Sequence, residues 1–203
     1  MASSRRQLIA AVIAVGAVLA GPALGAVEKP NLPDDMTLGN PAAKVTVIEY
    51  ASASCPHCAH FNNDVFPAFK AKYIDTGRVH YVFREFLTPP AEVAAASFLI
   101  ARCAGKDKYF SVLDTIFRGQ EHMYQTGDIK GALAHAASLA GMSEGQMEAC
   151  LTNEAAGDAL SARVERYAKE DGISMTPTFV INGKKMETAA TLANLDAAIA
   201  AAH

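Results

Sequence analysis

Lys44-Val45-Thr46-Val47-Ile48-Glu49-Tyr50 and, five residues on, Cys55-Pro56-His57-Cys58 decide how this chain is read. The first stretch is an apolar run broken after Lys44 only by Thr46 and Glu49, which suits a central strand of a sheet. The second sets two thiols two residues apart, a spacing that closes into a small disulfide and reopens with little backbone movement. Behind it, Phe61, Val65, Phe66 and Phe69 recur at helical spacing, so a helix is expected over 56–72. A strand therefore delivers Cys55 to a helix N-terminus. Unpaired N–H groups and the positive end of the helix dipole favour an anion there, so Cys55 is expected as an exposed, stabilised thiolate. Cys58, one turn inside, is its more buried partner. Pro56 suits the first helical turn because its missing N–H needs no partner there, and His57 can donate a hydrogen bond to the thiolate. Pro67 removes a ladder hydrogen bond and is expected to kink the helix.

Working outward, Asp75-Thr76-Gly77 closes the helical region and 79–86 returns as a second strand. From Pro90 the apolar period turns helical, with helices expected over 91–104, 107–124, 127–140, 144–152 and 154–171. Phe110, Leu113, Ile116 and Phe117 are most simply core. Ser143 and Gln146 make a capping box, Asn153 can cap the helix after it, and Gly141 and Gly172 sit where helices stop. Residues 178–181 then read as a strand, Asn182-Gly183 as a hairpin turn, 184–187 as its partner strand and 192–202 as an alanine-rich closing helix. On the other side, 27–43 contains Pro30, Pro33 and Pro41 and reads as an extended leader with a short strand at 36–38. The whole is a mixed α/β chain.

Residues 1–26 carry Arg5 and Arg6, an apolar run over 8–20, then Gly21-Pro22 and small residues, the layout of a secretory signal peptide cleaved near Gly25 or Ala26. The paired arginines fit a general export route and a twin-arginine route equally. Removing this segment takes two arginines and no acid, so the net charge moves from −3 to −5. With no basic run interleaved with aromatics, that balance argues against nucleic acid as a partner. All four cysteines, Cys55, Cys58, Cys103 and Cys150, lie beyond the signal, and disulfides persist in an exported, oxidising compartment such as the periplasm.

A Cys-x-x-Cys is also used by haem and zinc sites. Haem attachment needs His directly after the second cysteine, where this chain has Ala59, and only His57 and His60 lie near enough in sequence to complete a zinc site. No metal and no bound cofactor are expected. The motifs Leu38-Gly39-Asn40-Pro41, Val45-Thr46-Val47-Ile48-Glu49-Tyr50, Cys55-Pro56-His57-Cys58 and Met175-Thr176-Pro177-Thr178-Phe179-Val180-Ile181-Asn182-Gly183 together resemble the periplasmic DsbA-like disulfide oxidoreductases. That resemblance implies a thioredoxin fold with an inserted helical domain. Its halves would be 44–89 and 172–203, and the insert 90–171.

The resemblance also implies roles. Cys55 would exchange disulfides with substrate and Cys58 would resolve the mixed disulfide. Thr176-Pro177 would carry a cis-proline beside the cysteines and pair with an extended substrate segment. Glu49 would lie beneath the second cysteine and move protons, although Asn62 and Asn63 stand where the family often has acids. Cys103 and Cys150 would form a second, noncatalytic disulfide, worth up to ~4 kcal/mol in the chain-entropy model. The expected activity is donation of the Cys55–Cys58 disulfide to folding exported proteins with free cysteines, followed by reoxidation by a membrane-bound DsbB-like partner. A disulfide isomerase or reductase on the same fold is the alternative, as is a thiol-based metal-binding or chaperone-like carrier. Isomerases of the superfamily dimerise through an added N-terminal domain, for which 27–43 is too short, so a monomer is expected.

Overall fold

The computed structural model describes residues 32–202. The expected export signal and the start of the leader lie outside the described residues.

Strand β1 (Met36–Gly39) precedes β2 (Val45–Ala51), whose side chains alternate between two apolar layers. Val45, Val47 and Ala51 enter the larger core with Phe61, Phe69 and Phe179, while Ile48 and Tyr50 face a smaller one with Val82, Tyr167 and Val180. The two-residue period of a strand produces this division, and both faces are apolar because both are covered. After β2 the chain turns into α1 (Pro56–His60), passes through a π turn (Phe61–Val65) into α2 (Phe66–Phe69), and ends the run in a second π turn (Lys70–Ile74). Pro67 sits at the start of α2, directly after the widened turn. The expected kink therefore takes the form of a local shift in hydrogen-bond register, with the Phe66 N–H reaching back to the Phe61 carbonyl.

Strand β3 (Val79–Glu85) returns parallel to β2 and antiparallel to β1. The leader thus contributes an edge strand to the sheet. Gly39 ends that strand at φ +83°, where a β-carbon would meet the Val79 carbonyl oxygen at 2.4 Å. Five helices follow: α3 (Ala91–Cys103), α4 (Lys106–Thr126), α5 (Ile129–Leu139), α6 (Glu144–Leu151) and α7 (Glu154–Lys169). The capping box forms at Ser143 and Gln146, and the Asn153 side chain accepts from the Ala156 N–H at 3.0 Å. Leu113, Ile116 and Phe117 are buried as read; Phe110 is half-buried beside them. Cys103 and Cys150 are joined by a disulfide with a Cα–Cα distance of 6.1 Å, tying α3 to α6.

The sheet closes with β4 (Thr178–Ile181), antiparallel to β2, and β5 (Lys184–Lys185), giving the order β1-β3-β2-β4-β5. Asn182 at φ 46° and Gly183 at φ 81° form the left-handed pair that a two-residue hairpin needs. The partner strand is shorter than the expected 184–187. Only Lys184 and Lys185 pair with β4, and after the Met186 N–H reaches the Phe179 carbonyl at 2.9 Å the chain leaves to flank the thiol site. Helix α8 (Leu192–Ala200) completes the fold.

Two buried ionic clusters tie the elements together. Arg84 bonds Asp35 of the leader at 3.1 Å and Asp171 beyond α7 at 3.0 Å. Glu85, at the end of β3, accepts from Arg102 of α3 at 2.5 Å, Arg163 of α7 at 2.9 Å and the Tyr109 hydroxyl of α4 at 3.0 Å. The helical block is thus fastened to the sheet end nearest the cysteines' loop, since Glu85 lies opposite Ala51.

Candidate active site

Cys55 ends the loop leaving β2 and caps α1 with extended backbone at φ −84° and ψ 121°. The helix start then presents its first N–H groups to the sulfur. The hydrogen bond from the Cys58 thiol is the largest influence on Cys55; burial opposes it, and the Thr176 side chain and the N–H groups of Cys58 and His57 add to it. Together they lower the Cys55 thiol from 9.0 to about 5. The Cys55 sulfur lies 3.4 Å from the Thr176 carbonyl oxygen. The Thr176–Pro177 peptide is cis.

Cys58 is driven the other way. Burial, the hydrogen bond to Cys55 and the charges of Cys55 and Glu49 all push its thiol well above 9.0, against the Ser52 N–H at 3.5 Å. Cys55 is not exposed as its sequence position suggests. Its exposure is 7% against 1% for Cys58, because the Thr176 backbone crosses its sulfur. Pro56 and His57 are exposed beside it, and what His57 gives the sulfur is its backbone N–H.

Glu49 is buried on the β2 face shared with Val47 and Ala51, and its carboxylate accepts from the Tyr81 hydroxyl of β3. Burial raises its pKa from 4.5 to about 8; the Tyr81 bond opposes this and the charge of Cys55 adds to it. The carboxyl lines a cavity of about 330 Å³ walled by Phe61, Phe66, Tyr81 and Phe117 and bordered by Asn62 and Asp114. Asn62 and Asn63 do not act as acids there. They bind the π turn to α4, Asn62 donating to Asp114 at 3.0 Å and Asn63 to the Phe117 carbonyl at 3.2 Å.

On the open side of the thiols a groove of about 490 Å³ runs between His57, His60, Met175, Pro177 and Met186. Met175 is 64% exposed there, an unusual state for a large apolar side chain. Among the described residues, no group of three or more His, Cys, Asp or Glu side chains is arranged to hold a metal.

The thiol loop rests on residues that motif reading passes over. The Ser54 hydroxyl donates to the Thr88 carbonyl at 2.7 Å, and Ser52 lies 3.0 Å from it. From the helical block, Gln120 reaches the Ala53 carbonyl at 2.7 Å. A signal for Gln120 exists: it is the polar member of an apolar stripe running Leu113, Ile116, Phe117, Met123, and it is buried with them. Tyr81 offered no such signal, being one aromatic residue among several in a strand.

This geometry has counterparts. The family model described as "Thioredoxin" matches residues 31–201. A Rickettsia conorii protein named "Putative protein-disulfide oxidoreductase" is 36% identical over 151 residues, 74% of this chain and 54% of its own length. A Rickettsia typhi protein of the same name is 34% identical over 155 residues, 76% of this chain and 57% of its own. The chain thus spans little more than half the length of these relatives. Among solved structures, Wolbachia pipientis alpha-DsbA1 superposes with a TM-score of 0.76 at 28% identity, over 84% of this chain and 92% of that one. With a cysteine pair at the start of α1 and five helices set between β3 and β4, the chain belongs to the thioredoxin family and, within it, to the DsbA-like proteins.

Proposed function

We propose that this chain is an exported thiol:disulfide oxidase acting in the periplasm, with Cys55 and Cys58 as its redox couple. The observation that carries the reading is the opposite displacement of the two thiols, Cys55 down to about 5 and Cys58 well above 9.0. A thiolate held that low stabilises the dithiol relative to the disulfide, so the disulfide is readily given away.

The geometry supports the following exchange. A substrate thiolate attacks the Cys55 sulfur and breaks the Cys55–Cys58 bond; Cys58, a basic thiolate once released, takes a proton from Glu49, which is protonated below about pH 8. A second substrate thiolate then attacks the substrate sulfur of the mixed disulfide and expels Cys55, whose low pKa makes it a good leaving group. Two electrons pass from the substrate dithiol to the protein. The groove beside Met175, Thr176 and Pro177 would take an extended apolar segment of the substrate. Reoxidation then falls to a membrane-bound DsbB-like protein.

The test is the equilibrium of the purified protein with glutathione, read by thiol alkylation. An oxidase gives a potential well above the roughly −270 mV of thioredoxin, and a value at or below that mark would make the protein a reductase instead. Cys58→Ser should trap mixed disulfides with reduced, unfolded protein, and Cys55→Ser should form none. Exchange surviving in Cys55→Ser would reverse the assignment of the two sulfurs.

A further inference from the structure

The loop from Ser52 to Cys55 has a backbone problem that its own turn and α1 solve only in part: the Ser52 carbonyl accepts from the Cys55 N–H, and the Cys55 carbonyl from the N–H groups of Cys58 and Ala59, each at 3.1 Å. It lies buried, outside the strand ladder, and its carbonyls need donors. The carbonyls of Ala53 and Ser54, which that backbone pairing leaves over, find their donors on a single face of α4, and the Cys55 carbonyl gains a further one there. The Gln120 amide donates to the Ala53 carbonyl at 2.7 Å and to the Cys55 carbonyl at 3.4 Å. The Tyr124 hydroxyl donates to the Ser54 carbonyl at 3.4 Å. Positions 120 and 124 are one helical turn apart, so the two side chains stand together on the helix surface. Gln120 is 3% exposed, and its amide is committed to backbone 65 and 67 residues away in sequence.

We propose that α4 is the positioning element of the thiol site, with Gln120 and Tyr124 clamping the carbonyls of Ala53, Ser54 and Cys55 and thereby fixing the redox poise of the Cys55–Cys58 couple. The N–H groups of His57 and Cys58 stabilise the Cys55 sulfur only while Cys55 keeps its extended capping conformation. Gln120 holds the residue itself and the residue two before it, so it sets the angle at which the chain enters α1. Neither side chain needs to touch substrate. A helical block inserted far along the chain thus acquires a chemical duty, the tuning of a thiolate it does not carry.

The inference rests on Cys55–Cys58 being the redox couple, and the test separates the two claims. Gln120→Met keeps the length and shape of the side chain and removes both donated bonds. The Cys55 thiolate is titrated by its absorbance near 240 nm in reduced protein, which requires no substrate, and the potential is read against glutathione. The variant should raise the Cys55 pKa by about one unit, a tenfold loss of thiolate below the midpoint. If that loss carries fully into the dithiol–disulfide equilibrium, the potential falls by about 30 mV. Leu160→Ala, which takes volume from the core of the block without touching these bonds, should lower the melting temperature and leave the titration in place. An unchanged titration and potential in folded Gln120→Met would overturn the proposal. If Gln120→Met does not fold, Tyr124→Phe decides: an upward shift of a few tenths of a pKa unit supports the clamp, and none overturns it. A shifted titration in a protein that oxidises no dithiol would leave the clamp standing and remove the oxidase reading.

Discussion

Glu49 and Glu85 occupy the same face of the sheet on adjacent strands, Glu49 opposite Phe83 and Glu85 opposite Ala51, and both are buried, at 3% and 1% exposure. Their surroundings differ. Glu85 meets two arginines and a tyrosine hydroxyl, so its charge is matched within hydrogen-bonding distance. Glu49 meets the Tyr81 hydroxyl and two thiols and has no cation among its named partners. Burial at one sheet end, answered by countercharge, makes a structural anchor for the helical block. The same burial a few residues away, with no cation among the hydrogen-bond partners described for it, makes an acid that keeps its proton to about pH 8. What separates the anchor from the proposed proton carrier is the charge of the neighbours.

Neutralising each acid should therefore move stability in opposite directions. Glu85→Gln leaves Arg163, 8% exposed, without its counterion, and Arg102 with one fewer partner, at a cost of about 3–5 kcal/mol. Urea denaturation of the oxidised protein measures it. A loss under 1 kcal/mol would remove Glu85 as the anchor.

Glu49→Gln should stabilise. The folded pKa is raised from 4.5 to about 8, so the native state holds a proton that the unfolded chain releases, and wild-type stability falls as pH rises through that window. The variant, which has nothing to titrate, should match the wild type below pH 4.5 and gain on it up to about pH 8, reaching about 4 kcal/mol for the full shift and somewhat less in oxidised protein, where the Cys55 charge that adds to the shift is absent. The measurement belongs in oxidised protein, because in reduced protein Cys55 adds an opposite slope: its lowered pKa contributes stability that is complete above 9.0 and is lost as pH falls toward 5. The same variant should slow disulfide transfer, since released Cys58 loses its proton donor. A variant that is no more stable at pH 8 than the wild type would return Glu49 to the class of Glu85.

The contrast also shows where reading a sequence reaches and stops. Local chemistry is legible: the strand over 178–181, the Ser143–Gln146 box, the Asn182-Gly183 turn and the position of Cys55 at a helix start all follow from short-range pattern. The burial of Cys55 does not, because the Thr176 backbone that covers it arrives from 121 residues away. The length of β5 is likewise set by where the chain must go next, beside the thiols, rather than by the propensity of 184–187. Gln120 and Tyr124 are the sharpest case. Periodicity places them on a helix, and an unexplained polar residue in an apolar stripe marks Gln120, yet only the packing of α4 against the thiol loop says which carbonyls they hold. Glu49 and Glu85 look alike in sequence for the same reason: each is the one acid of its strand, and their different partners come largely from other elements.

Tyr81 supplies the smallest and most discriminating test of the pair. Its hydroxyl donates to Glu49 and lowers the acid's pKa against the larger effect of burial. Tyr81→Phe removes that donor without adding or removing charge. The direct cost should be about 1 kcal/mol, the net worth of one buried hydrogen bond. The more telling consequence is the direction of the titration. Without the bond, the Glu49 pKa rises above about 8, so the pH window over which stability falls should extend upward by the same amount. The corresponding change at the other acid, Tyr109→Phe, removes a donor that two arginines back up, and should leave the pH dependence of stability where it is. If both variants shift the pH profile equally, the hydroxyls act through packing, and the distinction between the two glutamates lies in something other than the presence of a cation. If only Tyr81→Phe shifts it, the proton on Glu49 is held by the balance between burial and one phenol, which is what the proposed transfer to Cys58 requires.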